Sequence, residues 1–293
     1  MVFTRRKDIL KLILVFFLPA VFIWFTTLVI PFFYGIFISF TKWDGISTNF
    51  TMVGLTNYQK LFSDTKFFQS LGRTAIYTLG TVVLSNLVGL ALGVLLTSAL
   101  KGRNFYRTAI FTPNVIGGIA MGYIWKFIFA YGVTGIAKSL GIQALSTSML
   151  SDPQLAMVAM IIVSSWQLAA YLMIIYVSGF TNVPRELEEA AFVDGATGFQ
   201  TFLRVRLPMI RSSFTVCLFL SIVRSFMVFD INLSLTDGGP FKMTELIAYR
   251  IYNNAFVSLK FGSAQAQAVV LFVLVAVISV IQSYFTSRKE VQL

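Results

Sequence analysis

The chain has few of the residues that carry chemistry in soluble enzymes. It contains no histidine, a single cysteine (Cys217) and only 12 acidic side chains among 293 residues. A lone cysteine excludes an intrachain disulfide, and the missing histidine removes the commonest general base and metal ligand. Walker, HExxH and CxxC sequences are absent as well. We therefore predict no catalytic residues, no metal site and no cofactor bound by this chain.

Charge is scarce and apolar residues are abundant. Charged residues make up 12% of the chain, hydrophobic residues make up 57%, and the mean hydropathy is +0.79. These values lie outside the range of soluble globular domains. The net charge is +11, but the basic residues are scattered between apolar runs, which argues against a nucleic-acid partner. The composition predicts an all-α integral membrane protein surrounded by lipid.

Apolar segments long enough to cross the hydrocarbon core, about 20 residues each, occur six times. The predicted spans are 12–40, 70–100, 106–130, 154–180, 208–232 and 262–286. The first follows a basic N-terminus and is longer than the apolar region of a signal peptide, so we predict an uncleaved span. Pro19 and Pro31 are expected to kink it. Because no internal repeat or flexible linker is found, the sequence predicts a single transmembrane domain over 1–293.

The loops between these spans differ in their content of lysine and arginine. The richer side comprises the N-terminal segment, 101–107, 185–211 and the C-terminal Arg288 and Lys289. The other side comprises 41–66, 131–152 and 233–261, which are longer but less basic. Since cytoplasmic loops carry the excess of positive charge, both termini and the loop 182–208 are predicted to be cytoplasmic.

The loop 182–208 is the most polar segment of the chain. Asn182 or Thr181 is expected to cap a first short helix, with Pro184 in its first turn. Acidic residues crowd that turn, where the helix dipole favours anions: Glu186, Glu188 and Glu189. Gly195 is expected to end this helix in the left-handed conformation.

A second short helix is predicted from Thr197 to Arg206, with Pro208 opening the next span. Neither helix is long enough to be stable alone in water, so each must dock on something. One face of the first helix carries a flat patch at helical spacing, formed by Leu187, Ala190, Ala191 and Asp194. From the residues alone, the loop is either a surface connection lying on the membrane or a docking site for a partner.

Two motifs carry a family resemblance. The residues EAA at 189–191, Gly195 and VRLP at 205–208 follow the pattern EAA-x3-G-x9-I-x-LP, with Val205 at the usual isoleucine. This pattern resembles the signature of the membrane subunits of binding-protein-dependent ABC importers. Outside the fifth span, LTDGGP at 235–240 resembles the LTxGGP motif of the carbohydrate-importing branch, of the maltose and multiple-sugar type.

The resemblance implies the six-helix fold of a type I ABC importer permease in a prokaryotic cell membrane, forming half of a translocation pathway. It implies a second homologous permease subunit, two copies of an ABC ATPase that bind ATP and Mg²⁺, an extracytoplasmic solute-binding protein and a carbohydrate substrate. The first helix of the loop would be the coupling helix, held in a cleft of the ATPase. The implied coupling residues are Glu188, Glu189, Ala190, Ala191, Asp194 and Gly195.

Polar residues within the fourth and fifth spans are candidates for a substrate pathway. The fourth span has one helical face made of Ser164, Gln167, Leu168 and Tyr171. In the fifth span, Arg224 lies about 22 Å from the inner end of a helix, a depth at which a charge costs at least ~2.5–3.5 kcal/mol. Asp230 falls on a different helical face, so the two are not expected to pair. These side chains either bond to other helices or line a cavity; the resemblance favours sugar contacts, also at Ser225 and Val228.

Three alternatives follow from the same residues. Arg224 stands where the maltose type has an aromatic residue, and an arginine would also suit a uronate, a sugar phosphate or another polar solute. An ion-coupled secondary transporter would need intramembrane carboxylates, for which Asp230 is the candidate. A structural or sensor protein would support no ATP-dependent flux.

Two further sets of residues have open assignments. Gly89-x3-Gly93 and Gly118-x3-Gly122 predict close helix packing, either within the chain or against a second permease. Trp166 and Tyr171 are the aromatic candidates for stacking on a sugar ring.

Overall fold

The computed structural model describes residues 13–98, 100–143 and 146–287, which fall into two compact units. The smaller unit holds 13–64 and 251–271, and the larger holds 65–250 and 272–287. Most of the described structure is helical, which confirms the predicted all-α class. The terminal charges used for the predicted orientation lie outside the described residues: Arg5, Arg6, Lys7, Lys11, Arg288 and Lys289.

The first apolar segment alternates between π-helical and α-helical turns. Its parts are a π turn at Ile13–Phe17, α1 at Leu18–Trp24, a π turn at Phe25–Val29 and α2 at Ile30–Ser39. Pro19 and Pro31 each lie in the first turn of an α segment, directly after a π turn. A proline lacks an N–H and its ring clashes with an earlier carbonyl, and a wider π turn relieves both problems. The expected kinks therefore take the form of changes in helix type.

The rest of the smaller unit is built around the end of α2. Strands β1 (Thr41–Lys42) and β2 (Thr51–Met52) form an antiparallel pair, followed by α3 (Thr56–Phe62). The Asn57 side chain donates hydrogen bonds to the carbonyls of Ser39 (2.8 Å) and Thr41 (2.9 Å). This amide ties α3 to the end of α2. A π turn at Asn253–Val257 precedes the last helix, which begins at Phe261.

The larger unit contains most of the helices. In chain order they are α4 (Thr65–Thr97), α5 (Arg103–Val115), α6 (Gly118–Phe127), a π turn (Ile128–Val133), α7 (Thr134–Ser139), a 3₁₀ turn (Met149–Ser151), α8 (Pro153–Thr181), α9 (Arg185–Val193), α10 (Gly198–Thr201), a π turn (Phe202–Arg206), α11 (Leu207–Met209), α12 (Arg211–Phe226) and a π turn (Asn232–Thr236). Two more, α13 (Ile247–Tyr252) and α14 (Phe261–Ser287), run from one unit into the other.

Helix α8 is the centre of the larger unit. It is capped by Asp152, whose carboxylate accepts hydrogen bonds from the backbone N–H groups of Gln154 and Leu155, both at 2.9 Å. Helix α4 packs along α8, and α12 packs against both. A β-carbon at Gly93 of α4 would lie 2.8 Å from the β-carbon of Tyr176. The predicted Gly89-x3-Gly93 packing is therefore made within this chain.

A buried polar network joins these three helices. The Tyr176 hydroxyl donates to the Asn86 side-chain oxygen (2.7 Å), and the Asn86 amide donates to the Ser221 hydroxyl (3.0 Å). All three side chains are buried. Because a buried polar group without a partner costs several kcal/mol, the network favours one rotation of each helix over its alternatives.

Five helical segments of the described residues are long and apolar enough to cross a membrane: Leu14–Ser39, Thr65–Thr97, Gly118–Ser139, Pro153–Thr181 and Phe261–Ser287. A sixth is obtained if the pair Gly198–Met209 and Arg211–Phe226, bent by 67°, is counted as one span.

The predicted third span, 106–130, is not one helix. Helix α5 ends at Val115, Ile116 and Gly117 are extended, and α6 begins at Gly118. Pro113 occupies the last turn of α5, and a glycine pair follows. Both residue types are poor helix formers, so the segment breaks there, and the candidate span starts at Gly118.

The predicted fifth span, 208–232, is also different. Pro208 does not open it, because a proline in the first turn of α11 needs no N–H partner and the helix continues. The chain bends at the buried Ile210, and α12 starts at Arg211. Gly179 of α8 allows the start of α12 to lie close to α8, since a β-carbon there would lie 3.0 Å from that of Ser213. Helix α12 then ends at Phe226, short of the predicted boundary.

Candidate functional site

A polar cavity of about 430 Å³ lies in the larger unit, between α4, α8, the end of α12 and the break after α5. Six of the seven predicted pathway residues line it: Ser164, Gln167, Leu168, Arg224, Ser225 and Val228. The seventh, Tyr171, does not line the cavity, and its ring contacts the Arg224 guanidinium. The structure therefore brings together, around one cavity, side chains that the sequence places on two separate helices.

Two backbone interruptions border this cavity. One is Ile116–Gly117 between α5 and α6, and the other is Met227–Phe229 after α12. Non-helical backbone at membrane depth is tolerated where it lines a cavity, and broken helices often mark the substrate site of a transporter. The sequence analysis missed both breaks, although Pro113 and the Gly117-Gly118 pair were a signal for the first.

Two of the fourth-span residues already have partners. The Gln167 side-chain amide donates to the Ile116 carbonyl at 3.1 Å, so it satisfies a backbone group freed by the break. The Tyr77 hydroxyl donates to the Ser164 hydroxyl at 2.5 Å. These contacts agree with the interhelical alternative for Gln167 and Ser164. They also hold these two side chains in place in the cavity wall.

Arg224 is held by an aromatic ring. Its guanidinium lies 4.5 Å from the ring centroid of Tyr171, a cation–π contact worth about 0.5–2 kcal/mol. Among the described residues it has no ion pair and no hydrogen-bond partner. The described residues therefore do not include the structural ion pair between Arg224 and another span that was one of the two alternatives.

Ser225 and Asp230 complete the polar wall. The Ser225 hydroxyl is buried and has no hydrogen-bond partner in the described part of the chain, a state that costs about 1–3 kcal/mol. Asp230 was predicted to lie on another helical face, but the break at Met227 places it in the cavity wall. By contrast, Trp166 does not line the cavity and packs edge-on against Trp125 at 5.5 Å.

The polar loop folds as two short helices, with one corrected detail. Helix α9 has Pro184 at its N-cap and no side-chain cap, whereas Asn182 is the C-cap of α8. The predicted cap is wrong because α8 continues to Thr181 and uses Asn182 for its own end. Gly195 has φ +81°, the left-handed conformation expected of it.

The second helix of the loop begins with a reciprocal cap. The Thr197 hydroxyl accepts from the Gln200 backbone N–H (3.3 Å), and the Gln200 side chain accepts from the Thr197 N–H (2.8 Å). The helix then runs through α10 and a π turn to Arg206, as predicted, and continues into α11.

One predicted coupling residue is engaged within the loop. The Glu188 carboxylate lies 3.2 Å from the Arg206 guanidinium, which also lies 5.2 Å above the Phe180 ring. The remaining predicted residues are more open: no residue of α9 is buried, and Glu189 and Ala190 are exposed. A shallow cavity of about 300 Å³ next to them is bordered by Ala191, Asp194, Gly195 and Arg204.

The smaller unit has a second cavity, of about 540 Å³, near the end of α2. Its wall includes Lys42, Lys60, Lys260 and Asp44. Hydrogen bonds from the backbone N–H groups of Ser47 and Ile46, and from the Ser47 hydroxyl, lower the pKa of Asp44 to about 2. No predicted site residue lies in this cavity. In the described part of the chain, no group of three or more histidine, cysteine or acidic side chains is placed to hold a metal ion.

The fold and the cavity define a class: a helical membrane protein with a polar cavity between interrupted helices. Its family follows from comparison with known proteins. The chain belongs to the binding-protein-dependent transport system inner membrane components, whose family model matches residues 85–291. It is therefore a transport subunit rather than an enzyme, and the predicted ABC importer permease is confirmed. The ion-coupled and structural alternatives do not fit this family.

Two relatives cover most of both chains. The probable starch degradation products transport system permease protein AmyD of Thermoanaerobacterium thermosulfurigenes is 41% identical over 90% of this chain and 90% of its own length. The multiple sugar-binding transport system permease protein MsmF of Streptococcus mutans is 37% identical over 89% and 90%.

A solved structure supports the fold. A chain of a bacterial ABC transporter involved in the import of the acidic polysaccharide alginate matches with a TM-score of 0.82. The match covers 96% of this chain and 98% of that chain at 19% identity. At this identity the likeness supports the type I permease fold and carries no information on the substrate.

Proposed function

We propose that this chain forms half of the translocation pathway for a carbohydrate, and that the 430 Å³ cavity is part of that pathway. The observation that carries the proposal is the convergence of Arg224, Ser225 and the fourth-span face on one polar cavity bordered by two helix breaks. The names of the relatives AmyD and MsmF, which refer to starch degradation products and multiple sugars, support a carbohydrate.

The side chains of the cavity suit a polyhydroxylated ligand. A sugar hydroxyl donates one hydrogen bond and accepts others, so it can pair with the Arg224 guanidinium and with the partnerless Ser225 hydroxyl. The ring of Tyr171 is covered by Arg224, so it acts through the arginine rather than by stacking on sugar. Rigid-body rocking of the transporter would expose this cavity to one side of the membrane at a time.

The partners follow from the exposed loop. Helix α9 has nine residues and buries none of them, so it needs a partner surface to be stable. We propose that it docks in a cleft of an ABC ATPase, present in two copies, which binds the ATP and Mg²⁺. A second permease would supply the other half of the pathway, and an extracytoplasmic binding protein would deliver the substrate. The chain would lie in a prokaryotic cell membrane with both termini in the cytoplasm.

The pathway is tested by Arg224→Ala and Tyr171→Ala. We expect each to lower carbohydrate uptake into reconstituted vesicles about tenfold or more, because charge-assisted hydrogen bonds worth roughly 1.5–3 kcal/mol are lost or misplaced. Copurification of the partner subunits should be unchanged. Tyr123→Ala is a matched control, since Tyr123 is exposed and does not line the cavity. Wild-type uptake by both cavity variants would show that the pathway lies elsewhere.

A further inference from the structure

We propose that Asp230 makes this cavity selective for uncharged carbohydrates and against anionic ones. The inference rests on the proposed function, and it concerns a residue that the sequence placed outside the pathway. Asp230 and Arg224 are the charged residues of the described cavity wall, so its formal charge is zero. Arg224 alone would favour a uronate or a sugar phosphate, whereas the two residues together do not.

The two charges are held in place independently of each other. Arg224 lies in the last turn of α12, against the Tyr171 ring. Asp230 lies beyond the break, close to α6, where a β-carbon on Gly118 would approach its own β-carbon to 2.7 Å. The backbone carbonyl of Asp230 accepts a hydrogen bond from the Ser234 hydroxyl at 2.6 Å. The contacts cited here for the Arg224 guanidinium and for the Asp230 backbone therefore do not involve a bond between the two residues.

Neither charge is neutralised within the described part of the chain. Arg224 and Asp230 form no ion pair with each other or with another described side chain, and the Asp230 carboxylate accepts no hydrogen bond there. A guanidinium offers only donors, and a carboxylate offers only acceptors. A ligand that satisfies both must donate and accept hydrogen bonds, as sugar hydroxyls do.

An anionic sugar meets opposing effects in this cavity. Its carboxylate or phosphate is attracted by Arg224 but repelled by Asp230, and both interactions are strengthened where water is excluded. A neutral polyhydroxylated ligand avoids the repulsion and pairs with both groups, so the net selection is for the uncharged class.

The test uses binding to the complete membrane complex without its binding protein, so that selection by the binding protein does not enter. The probes are radiolabelled maltose and, as competitor, digalacturonate at neutral pH. The wild type should bind maltose more tightly than digalacturonate. Asp230→Asn keeps the shape of the side chain and removes its charge, so it should raise the affinity for digalacturonate relative to maltose about tenfold or more. Asp230→Glu should keep the wild-type preference.

Further variants make the result specific. Glu186→Gln removes one negative charge from α9, away from the cavity, and should leave the preference unchanged. Arg224→Gln should shift it in the opposite direction, further against digalacturonate, and Asp230→Ser removes the charge of Asp230 if Asp230→Asn fails to assemble.

The outcomes separate this inference from the proposed function. If maltose binds and an assembled variant without the Asp230 charge keeps the wild-type preference, the selectivity inference is overturned and the carbohydrate pathway stands. A wild type that prefers digalacturonate also overturns the inference alone. A wild type that binds neither sugar overturns this inference, whereas the proposed function is tested separately by carbohydrate uptake into vesicles.

Discussion

At the scale of single residues, Gly195 shows how one backbone angle can matter more than contacts. Its φ is +81°, and a β-carbon built on it would meet nothing within 4 Å. The demand for glycine is therefore conformational, because a left-handed residue with a β-carbon costs roughly 1–2 kcal/mol. This one residue sets the angle between α9 and α10, on the surface that we propose contacts the ATPase.

We expect Gly195→Val to lower substrate-stimulated ATP hydrolysis severalfold in the reconstituted complex, because the strained turn redirects α9. Membrane insertion should persist, since no span is changed. Gly195→Asn is the matched control: asparagine adds a side chain of similar size but tolerates the left-handed region, so it should stay close to wild type. Equal losses in both variants would mean that side-chain size, rather than the backbone angle, is what matters.

At the scale of elements, α4 and α8 are fitted to each other by glycines on one face of α4. Gly93 and Gly89 lie against Tyr176 and Leu172, whereas a β-carbon on Gly72 of the same helix would meet nothing within 4 Å. Gly89 and Gly93 are therefore required by the close approach of α8, whereas the space around Gly72 would admit a larger residue.

Gly93→Ala should destabilise the protein by about 1–3 kcal/mol, because the added methyl group overpacks the α4–α8 contact. Gly72→Ala should be neutral or stabilising by up to about 1 kcal/mol, since alanine is the better helix former and has room. Thermal unfolding of the two variants in detergent measures the difference. A Tm for Gly93→Ala equal to that of Gly72→Ala would contradict the close packing.

The helix breaks also belong to the scale of elements. Pro113 with Gly117-Gly118 explains the first break from local propensity. For the second, at Met227, neither glycine nor proline is present, and we attribute it to tertiary packing. The break is what places Asp230 in the cavity, and the assumption of a continuous helix led the sequence analysis to leave it out.

At the scale of the whole molecule, the predicted orientation rests on charges in the loops and at the ends of the chain. Lys60 lies in a segment predicted to be outside, and Phe199 lies in the loop predicted to be cytoplasmic. Both side chains are exposed, so burial does not limit their labelling. The native Cys217 is fully buried and gives little background.

In intact cells, Lys60→Cys should react with an impermeant thiol reagent and Phe199→Cys should react only after lysis. The expectation follows from the excess of lysine and arginine on the side of the 182–208 loop. Labelling of Phe199→Cys without lysis would reverse the topology. Labelling of neither variant after lysis would point to a partner covering both sites.

The sequence by itself determined the membrane class, the positions of most spans, the polar loop and the left-handed Gly195. These depend on the length of apolar runs, on local charge and on backbone sterics, which act over a few residues. It also indicated six residues of the cavity wall. Helical spacing grouped Ser164, Gln167 and Leu168, the depth of its charge singled out Arg224, and the family resemblance added Ser225 and Val228.

The tertiary structure decided what those residues do together. Helix α5 ends before Gly117, and α12 ends before Met227. Asn182 ends one helix rather than starting the next, and Glu188 forms an ion pair with Arg206. Except for the end of α5, which local propensity explains, these outcomes depend on contacts between separate segments, where packing outweighs local preference. For that reason Arg224 and Asp230 share one cavity, although no pattern within their helix indicates it.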